Sequence, residues 1–369
     1  MIKFLDLRKQ YESIKSEIDQ AIQSVIAESA FIGGKYVQAF EERFATYQQT
    51  KFCIGVGNGT DALEIAIEGL GITNSEIIVP ANSFIATAEA VKRNGNRVVF
   101  CDCNPQNYTI SITDLQKRIT SDTKAIIAVH LYGHPCDMEP LLNLARTYDI
   151  LVIEDCAQAH GAEYKGNRVG GIGTIGTFSF YPGKNLGAYG DGGAIVTNDK
   201  ELAIKCRMLS NHGRLEKHKH QIEGRNSRLD GLQAAILDVK LNYLDDWLNT
   251  RGKIADYYHY HLNKYDPIIL PTQASWAKHS YHLFVTRSQH RDALQQYLKN
   301  QGIQTGIHYP TALPKLAAYN HIGQSHEAML ANQMDRELLS LPIGEHLTSS
   351  EMDIILSTVT KFMTGIQKK

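Results

Sequence analysis

The sequence predicts an α/β fold in which a mostly parallel sheet is covered by helices on both faces and is followed by a smaller α+β unit. Two observations predict it. Between residues 51 and 197, short apolar strand candidates alternate with helical patterns. After Arg228 the pattern changes to one long helical run, 231–262, which would bridge to the smaller unit. We expect a large domain over residues 1–245 and a small C-terminal domain over 246–369.

The individual elements follow from the spacing of apolar residues. An amphipathic helix is predicted over 11–28, because isoleucine and valine recur there at helical intervals. The seven predicted strands are 52–56, 76–79, 97–101, 125–130, 151–154, 176–180 and 193–197. Between them, helices are predicted at 61–69, 86–94, 112–119 and 140–148.

Composition and charge exclude several functions. With 38 Lys and Arg against 39 Asp and Glu, no long-range field favours nucleic acid or an anionic membrane. We expect a cytoplasmic protein that does not cross a membrane, because no stretch approaches about 18 apolar residues and the N-terminus lacks a signal-peptide pattern. The six cysteines form no C-x-x-C pair, which indicates reduced, mostly buried thiols. No metal is predicted, and the histidines of 212–220 are interpreted as part of an exposed loop.

Ligands of open α/β sheets bind beyond the carboxyl ends of the strands, so the residues there are candidates. The first is a glycine turn, Gly57 to Asp61, between a strand and a helix. Its free N–H groups and the helix dipole would hold a phosphate, although an ordinary turn capped by Thr60 or Asp61 is an alternative. A dinucleotide fingerprint fits less well, because Thr60 stands where its third glycine belongs and the next strand does not end in an acidic residue.

A second strand end carries Glu154 and Asp155 on an apolar, buried-looking strand. A buried carboxylate needs a cationic partner. The protonated nitrogen of a pyridoxal phosphate (PLP) ring would be such a partner. Alternatively, Asp155 caps a following helix.

A third strand end leads to Lys184 in an aromatic and glycine-rich turn. Desolvation would lower the pKa of its amine and make it a nucleophile. The alternative is that Lys184 is an ordinary lysine on the surface. A nucleotide phosphate loop does not fit, since Phe178 and Asn185 replace its glycine and its metal ligand. Phe84 follows a fourth strand end, where its ring would stack on a flat ligand or join the core. The joint occurrence of all four features favours a PLP site.

These residues resemble the DegT/DnrJ/EryC1/StrS family of PLP-dependent nucleotide-sugar aminotransferases, which has the fold type I aminotransferase architecture with a seven-stranded, mostly parallel sheet. The resemblance covers nearly the whole chain. It rests on seven segments in the family's order: FLDLR (4–8), NGTDA (58–62), EDCAQ (154–158), SFYPGK (179–184), GDGG (190–193), NSRLD (226–230) and HYP (308–310).

The resemblance implies a role for each matching residue. Lys184 would hold PLP as a Schiff base and move the proton during amino transfer. Asp155 would pair with the pyridine nitrogen, Gln158 would contact the ring hydroxyl, and Phe84 would stack on the ring.

The resemblance also implies how the phosphate is held. Gly59, Thr60 and Ser179 would bind it, and Asn226 would reach the phosphate of the neighbouring subunit. A homodimer with shared active sites follows.

For the nucleotide-sugar, the matching positions are Phe31, Arg228, His308 and Tyr309, and Tyr181, which flanks the lysine, is a further candidate. A guanidinium group can bind a diphosphate through two hydrogen bonds, so Arg228 is a candidate for substrate binding on physical grounds as well. An ion pair with Asp230 or Glu223 is the alternative for Arg228. His308 and Tyr309 would otherwise pack at a domain interface.

The implied reaction moves an amino group from L-glutamate to a nucleotide-linked keto sugar in two stages. Related dehydratases carry histidine at the lysine position, so Lys184 argues against that branch. Segments 58–62 and 181–187 are similar to members that convert dTDP-3-keto-6-deoxyhexoses to dTDP-3-amino-3,6-dideoxyhexoses, as in O-antigen or lipopolysaccharide synthesis. A 4-keto sugar and a UDP-linked 3-keto sugar remain alternatives. So do two other classes, an NAD-dependent sugar oxidoreductase and a non-catalytic PLP-binding regulator.

Overall fold

The computed structural model describes residues 1–367, so residues 368 and 369 of the expected C-terminal domain lie outside it. Its α-helices are α1 (Leu7–Ser13), α2 (Lys15–Ala27), α3 (Lys35–Tyr47), α4 (Gly59–Gly69), α5 (Ile85–Arg93), α6 (Ile112–Arg118), α7 (Met138–Thr147), α8 (Lys200–Ser210), α9 (Gly231–Leu241), α10 (Leu244–Leu262), α11 (Arg291–Asn300), α12 (Leu330–Met334) and α13 (Ser349–Gln367). Its strands are β1 (Phe52–Val56), β2 (Glu76–Pro80), β3 (Arg97–Cys101), β4 (Thr123–Val129), β5 (Leu151–Asp155), β6 (Glu163–Tyr164), β7 (Asn167–Arg168), β8 (Ile175–Ser179), β9 (Gly193–Thr197), β10 (Ala277–Lys278), β11 (Phe284–Arg287) and β12 (Leu338–Leu341).

The central sheet has seven strands in the order β1-β9-β8-β5-β4-β2-β3. Strands β8, β5, β4, β2 and β3 pair in parallel, whereas β9 runs antiparallel to β1 and β8. The seven predicted strands are confirmed, each within two residues of its expected bounds. Strand β5 lies in the middle of the sheet, so its carboxyl end lies at the centre of the ligand-binding edge.

Helices cover both faces of this sheet, as predicted. Along β2, Ile77 and Val79 join the apolar cluster under α4 and α5, whereas Ile78 joins the cluster under α6 and α7. Successive side chains of a strand point to opposite faces, so both faces are buried. Continuous apolar runs are typical of such strands, which is why the sequence pattern located them.

Two predicted helices are each broken into two. The expected helix 11–28 is α1 and α2, separated at Ile14, whose N–H bonds to the Tyr11 carbonyl at 3.1 Å. The expected run 231–262 is α9 and α10, with tight bonds of the same i to i−3 type from Asn242 and Tyr243. These bonds tighten a helix end and change its direction. Both halves keep their apolar residues inward, since Ile14, Ile18, Ile236 and Trp247 share one buried cluster.

The C-terminal part contains the antiparallel pair β11 and β12, flanked by α10, α11 and α13. It has an apolar cluster of its own, which includes Tyr258, Phe284, Leu294 and Val359. Within residues 1–367, no helix combines the length and the apolar character needed to span a membrane.

A fully buried carboxylate anchors the middle of the sheet. Glu154 on β5 accepts the N–H groups of Ile172 and Gly173 at 2.8 and 2.6 Å through Oε1, and that of Gly170 at 2.8 Å through Oε2. Oε2 also lies 3.0 Å from Nε2 of His130. Because Nδ1 of His130 accepts the Cys136 N–H at 2.9 Å, Nε2 carries the hydrogen that it donates to Glu154.

The sulfur of Cys156 lies with these His130 and Glu154 atoms inside a 4.8 Å cluster. Protein N–H groups already occupy both oxygens of Glu154. The cluster therefore has a structural explanation, which is the joining of β4, β5 and the 170–173 turn.

We expect Glu154→Ala to lower the free energy of unfolding by about 3–5 kcal/mol, because three buried N–H groups and His130 lose their acceptor. Urea denaturation followed by circular dichroism measures it. The matched control is Glu12→Ala on the surface, where loss of the exposed ion pair with Arg8 costs about 1 kcal/mol or less. A Glu154→Ala protein as stable as this control would contradict the prediction.

Candidate active site

A cavity of about 1250 Å³ opens at the edge of the sheet where the parallel strands end. Its wall combines residues that follow β1, β2, β4, β5 and β8 with residues of the C-terminal part. Eleven of the thirteen predicted site residues line it: Gly59, Thr60, Phe84, Asp155, Gln158, Ser179, Tyr181, Lys184, Asn226, His308 and Tyr309.

One end of the cavity is the N-terminus of α4. The helix is capped by Asn58, whose side chain accepts the Asp61 N–H at 2.8 Å, so neither Thr60 nor Asp61 is the cap. Within the described chain, the N–H groups of Gly59 and Thr60 have no acceptor. Such groups at the positive end of a helix dipole bind anions.

Ser179 completes this anion site from β8. Its hydroxyl oxygen accepts the Tyr181 N–H at 3.3 Å, which leaves the hydroxyl hydrogen free to donate. A Cβ at position 59 would lie 2.6 Å from Cβ of Ser179, so only glycine lets α4 approach β8 this closely. The predicted phosphate turn is therefore built as an anion-binding site.

Asp155 lies at the centre of the cavity floor and is 5% exposed. Its Oδ2 accepts the Thr87 hydroxyl at 2.9 Å and its Oδ1 accepts the Ala157 N–H at 3.1 Å. A turn follows rather than a helix, which excludes the helix-cap alternative. Burial raises the pKa of this carboxyl, against the opposing effects of Ala157, Thr87 and Lys184.

No cation of residues 1–367 lies at ion-pair distance from Asp155. A cation bound above it would lower the cost of its burial. The geometry therefore suits a ligand with a positively charged, hydrogen-bearing atom.

Thr87 was not predicted from the sequence. It lies on α5, three residues after Phe84, and helical periodicity places both on one face. The Phe84 side chain is 52% exposed at the cavity, and its ring lies 5.5 Å from that of Tyr309. Helix spacing from Phe84 was therefore a usable signal for Thr87.

Gln158 connects the sheet to the C-terminal part. Its amide oxygen accepts the Tyr132 N–H at 2.7 Å, and its amide nitrogen donates to the Tyr309 hydroxyl at 3.0 Å. The Tyr132 hydroxyl donates to the His308 carbonyl. These contacts hold His308 and Tyr309 on the cavity wall, so the two residues pack between parts of the chain and also face the cavity.

Lys184 is half-buried on the wall, in the loop between β8 and β9. Desolvation lowers the pKa of its amine to about 8, while Asp155 opposes the shift. Asn185 donates to the Ser280 carbonyl at 3.0 Å, and the buried Lys240 donates to the Gly187 carbonyl at 2.7 Å. These bonds fix the loop on both sides of Lys184, which is not an ordinary surface lysine.

Two predicted substrate residues lie outside this chain's cavity. Phe31 is 47% exposed, and Arg228 donates to Asn211 at 3.2 Å. Arg228 has no ion pair with Asp230 or Glu223, both of which the structure describes. Asn226 is exposed at the cavity rim. Phe31 and Arg228 are therefore not among the residues that line this chain's cavity, and their expected contact with the substrate stays a prediction.

Sequence reasoning also missed Arg251 and His282, which line the cavity from the C-terminal part. Arg251 donates to the carbonyls of Tyr281, His282 and Ile343 at 3.1 to 3.3 Å. Neither residue belongs to a motif at a strand end, so the sequence carried no local signal for them.

We expect Lys184 to become half neutral near pH 8, so its reactivity toward acetic anhydride should rise as pH passes through that value. Competitive labelling and peptide mass spectrometry of the cofactor-free protein measure it. Lys35 is the internal control, because its ion pair with Glu28 raises its pKa and delays its labelling to higher pH. Labelling of both lysines with one midpoint above pH 10 would contradict the prediction.

Comparison with known proteins identifies the family. The model of the DegT/DnrJ/EryC1/StrS aminotransferase family matches residues 12–360. The dTDP-3-amino-3,6-dideoxy-alpha-D-galactopyranose transaminase of Aneurinibacillus thermoaerophilus is 46% identical over 364 residues, covering 98% of this chain and 99% of the relative. The erythromycin biosynthesis sensory transduction protein EryC1 of Saccharopolyspora erythraea is 43% identical, covering 97% and 98%.

A solved structure agrees with the sequence comparison. The crystal structure of S. venezuelae DesV in complex with a ketimine intermediate superposes with a TM-score of 0.96 at 40% identity and covers 98% of each chain. The chain therefore belongs to the DegT/DnrJ/EryC1/StrS aminotransferase family and is a PLP-dependent aminotransferase with the type I fold.

Proposed function

We propose that this aminotransferase moves an amino group from L-glutamate to the 3-keto carbon of a dTDP-linked 6-deoxyhexose, giving a dTDP-3-amino-3,6-dideoxyhexose. The observation that carries the proposal is that the Lys184 amine, the Asp155 carboxylate and the free N–H groups of α4 face one cavity. The name of the Aneurinibacillus relative, 46% identical over nearly the whole chain, supports the sugar and the nucleotide.

The cavity fits PLP at three points. The unpaired N–H groups of Gly59 and Thr60, together with the Ser179 hydroxyl, would hold its phosphate. No cation of residues 1–367 pairs with Asp155, which would hold the ring nitrogen, while the exposed ring of Phe84 would stack on the cofactor. When bound, PLP supplies an electron sink that stabilises the carbanion formed during amino transfer.

Lys184 supplies both the nucleophile and the proton carrier. With a pKa of about 8, about a tenth of its amine is neutral at pH 7, and the neutral amine attacks a carbonyl carbon. Once free, the same amine would move a proton between the substrate carbon and the cofactor carbon that flank the transferred nitrogen. Asp155 would keep the ring nitrogen protonated throughout.

We propose that Tyr181, His308 and Tyr309 face the sugar. Phe4 stacks on His308 at 5.7 Å, and Ser340 bonds to its Nδ1 at 2.8 Å, so the imidazole is held at the wall. Burial and Lys184 lower the pKa of His308 to about 4, so it is a neutral group. The cavity volume of about 1250 Å³ exceeds the about 300–1000 Å³ of ordinary small-molecule sites and leaves room for an extended nucleotide-sugar.

The proposal includes a homodimer in which each subunit completes its partner's site. Its support is the position of Phe31 and Arg228 outside their own cavity and the exposure of the large apolar side chains Phe84, Tyr181 and Ile32. In a two-fold dimer, one patch on each subunit meets its copy, so Arg228 would reach the partner's substrate. Asn226 at the rim would reach the partner's phosphate.

We further propose a domain boundary near residue 245, with a large domain over 1–245 and a small one over 246–369, in a cytoplasmic protein. The start of α10 at Leu244 and the separate apolar cluster around Tyr258 and Phe284 support the boundary. Six buried cysteine thiols support a reducing compartment.

We expect the PLP-loaded protein to be yellow, to lose its visible absorption with L-glutamate, and to regain it with a dTDP-3-keto-6-deoxyhexose. Lys184→Ala should abolish both changes, whereas the control Lys165→Ala, an exposed lysine paired with Glu139, should keep them. Product mass and NMR spectra, with UDP-linked and 4-keto sugars in the panel, identify the nucleotide and the carbon. Turnover only with a 4-keto or UDP-linked sugar would contradict the substrate assignment, and cofactor binding without any turnover would favour the regulator.

We expect two inactive variants, Lys184→Ala and Arg228→Ala, to restore activity when unfolded together and refolded as a mixture. Hybrid dimers would carry one site with both residues intact, so about a quarter of the wild-type activity should return. Refolding each variant alone is the control. No gain in the mixture would contradict the shared site.

A further inference from the structure

His282 lines the cavity beside Lys184, but the proposed function gives it no role. Its Nδ1 lies 3.2 Å from Oδ1 of Asn185. Since Nδ2 of Asn185 donates to the Ser280 carbonyl at 3.0 Å, Oδ1 is the accepting end of that amide. Nδ1 of His282 therefore carries the ring hydrogen, and Nε2 has a free lone pair.

Nε2 of His282 has no hydrogen-bond partner among residues 1–367. Burial holds the pKa of this imidazole well below its usual range, and the charges of Lys184 and Arg251 act in the same direction. The ring is therefore neutral at physiological pH. On the wall of a polar cavity it offers one hydrogen-bond acceptor and no further donor.

The backbone around His282 is held from three directions. The Ser280 N–H donates to the Gly133 carbonyl at 2.9 Å, and the Leu283 N–H donates to the Tyr132 carbonyl at 3.2 Å. Arg251 donates to the His282 carbonyl at 3.3 Å. The imidazole is thus preorganised, which a residue that positions a substrate requires.

His282 bonds to Asn185, the residue after Lys184, and His282, Lys184 and His308 all line the cavity, so the imidazole of His282 lies close to Lys184. Of the groups on the two substrates, the carboxylates of glutamate and the diphosphate of the nucleotide accept hydrogen bonds and do not suit Nε2. Sugar hydroxyls donate. A sugar hydroxyl next to the carbon that reacts at Lys184 can donate a hydrogen bond and would lie close to Nε2 of His282.

We propose that Nε2 of His282 accepts a hydrogen bond from a sugar hydroxyl adjacent to the carbon that receives the amino group. His282 thereby orients the keto sugar and selects hydroxylated sugars over their deoxy analogues. This inference rests on the proposed function, since it requires a keto-sugar substrate. It concerns the second half of the reaction only.

The test uses His282→Asn, because asparagine can still donate to Asn185 while it lacks an atom at the Nε2 position. In single-turnover experiments with the PLP-loaded dimer, loss of colour with glutamate should change by less than about twofold. Return of colour with the hydroxylated dTDP-3-keto-6-deoxyhexose should slow by about 10- to 100-fold, as expected for one lost hydrogen bond. His282→Gln, whose amide oxygen reaches toward the Nε2 position, should recover part of this loss.

Two further measurements separate substrate contact from folding. Calorimetry should show weaker binding of the dTDP-amino-sugar product to His282→Asn by a similar factor. Two deoxy substrates are compared, one without the 2-hydroxyl and one without the 4-hydroxyl. With the substrate that lacks the hydroxyl bound by His282, wild type and His282→Asn should react at the same rate. His290→Asn, which changes an exposed histidine, is the matched control and should behave as wild type.

Equal slowing of both halves, or unchanged kinetics with the hydroxylated sugar, would overturn the role of His282 while the proposed function stands. Wild-type protein that converts no keto sugar would overturn both. Persistence of the His282→Asn defect with both deoxy sugars would show that the lost contact is not to a hydroxyl, which also overturns the inference.

Discussion

The burial of two successive carboxylates at the end of β5 is the constraint on which the cavity depends. Strand geometry sends Glu154 and Asp155 to opposite sides of the sheet. Glu154 is satisfied by three backbone N–H groups and His130, so it needs nothing further. Among residues 1–367, Asp155 accepts hydrogen bonds only from the Thr87 hydroxyl and the Ala157 N–H, and burial raises its pKa. Glu154 thus fixes the backbone at the floor of the cavity, whereas the burial of Asp155 favours a cationic ligand.

The electrostatic properties of the cavity wall follow from this preference of Asp155 for a cationic ligand. Burial and the nearby Lys184 lower the pKa of His308 to about 4 and hold that of His282 well below its usual range, so these imidazoles are neutral. Asp155 and Lys184 line the same cavity, yet desolvation is the larger effect on the pKa of the amine. These neutral imidazoles add no charge beside the amine, and its lowered pKa keeps part of it neutral near physiological pH. A site that performs amino transfer needs this combination.

Much of this arrangement was predictable, because it depends on local patterns. The central strands are apolar on both faces, and the residues after them carry Gly59, Phe84, Asp155 and Lys184, so strand ends alone located the site. The break at Ile14 was not predictable, since apolar spacing continues through it and only the tertiary fold turns the chain there. The predicted single helices at 11–28 and 231–262 were wrong for that reason.

The C-terminal contribution was hidden for a different reason. Arg251 and His282 come from a helix interior and an irregular segment, and bonds to residues of distant parts of the chain bring them to the cavity. Arg228 and Phe31 are the opposite case, because the sequence indicates a role for them that the structure of one chain does not explain. Family resemblance assigns them to a substrate site, but they are not among the residues that line the cavity of their own chain.

The most direct measurement of the central claim is the site of covalent attachment of PLP. Borohydride reduction of the PLP-loaded protein, followed by proteolysis and mass spectrometry, locates the modified lysine. Two lysines have a lowered pKa, the half-buried Lys184 at about 8 and the buried Lys240 at about 7, so the experiment distinguishes between two candidate amines. Modification confined to the peptide that contains Lys184 is the expected result. Modification of Lys240, or of several surface lysines equally, would contradict the assignment of Lys184 as the residue that holds PLP.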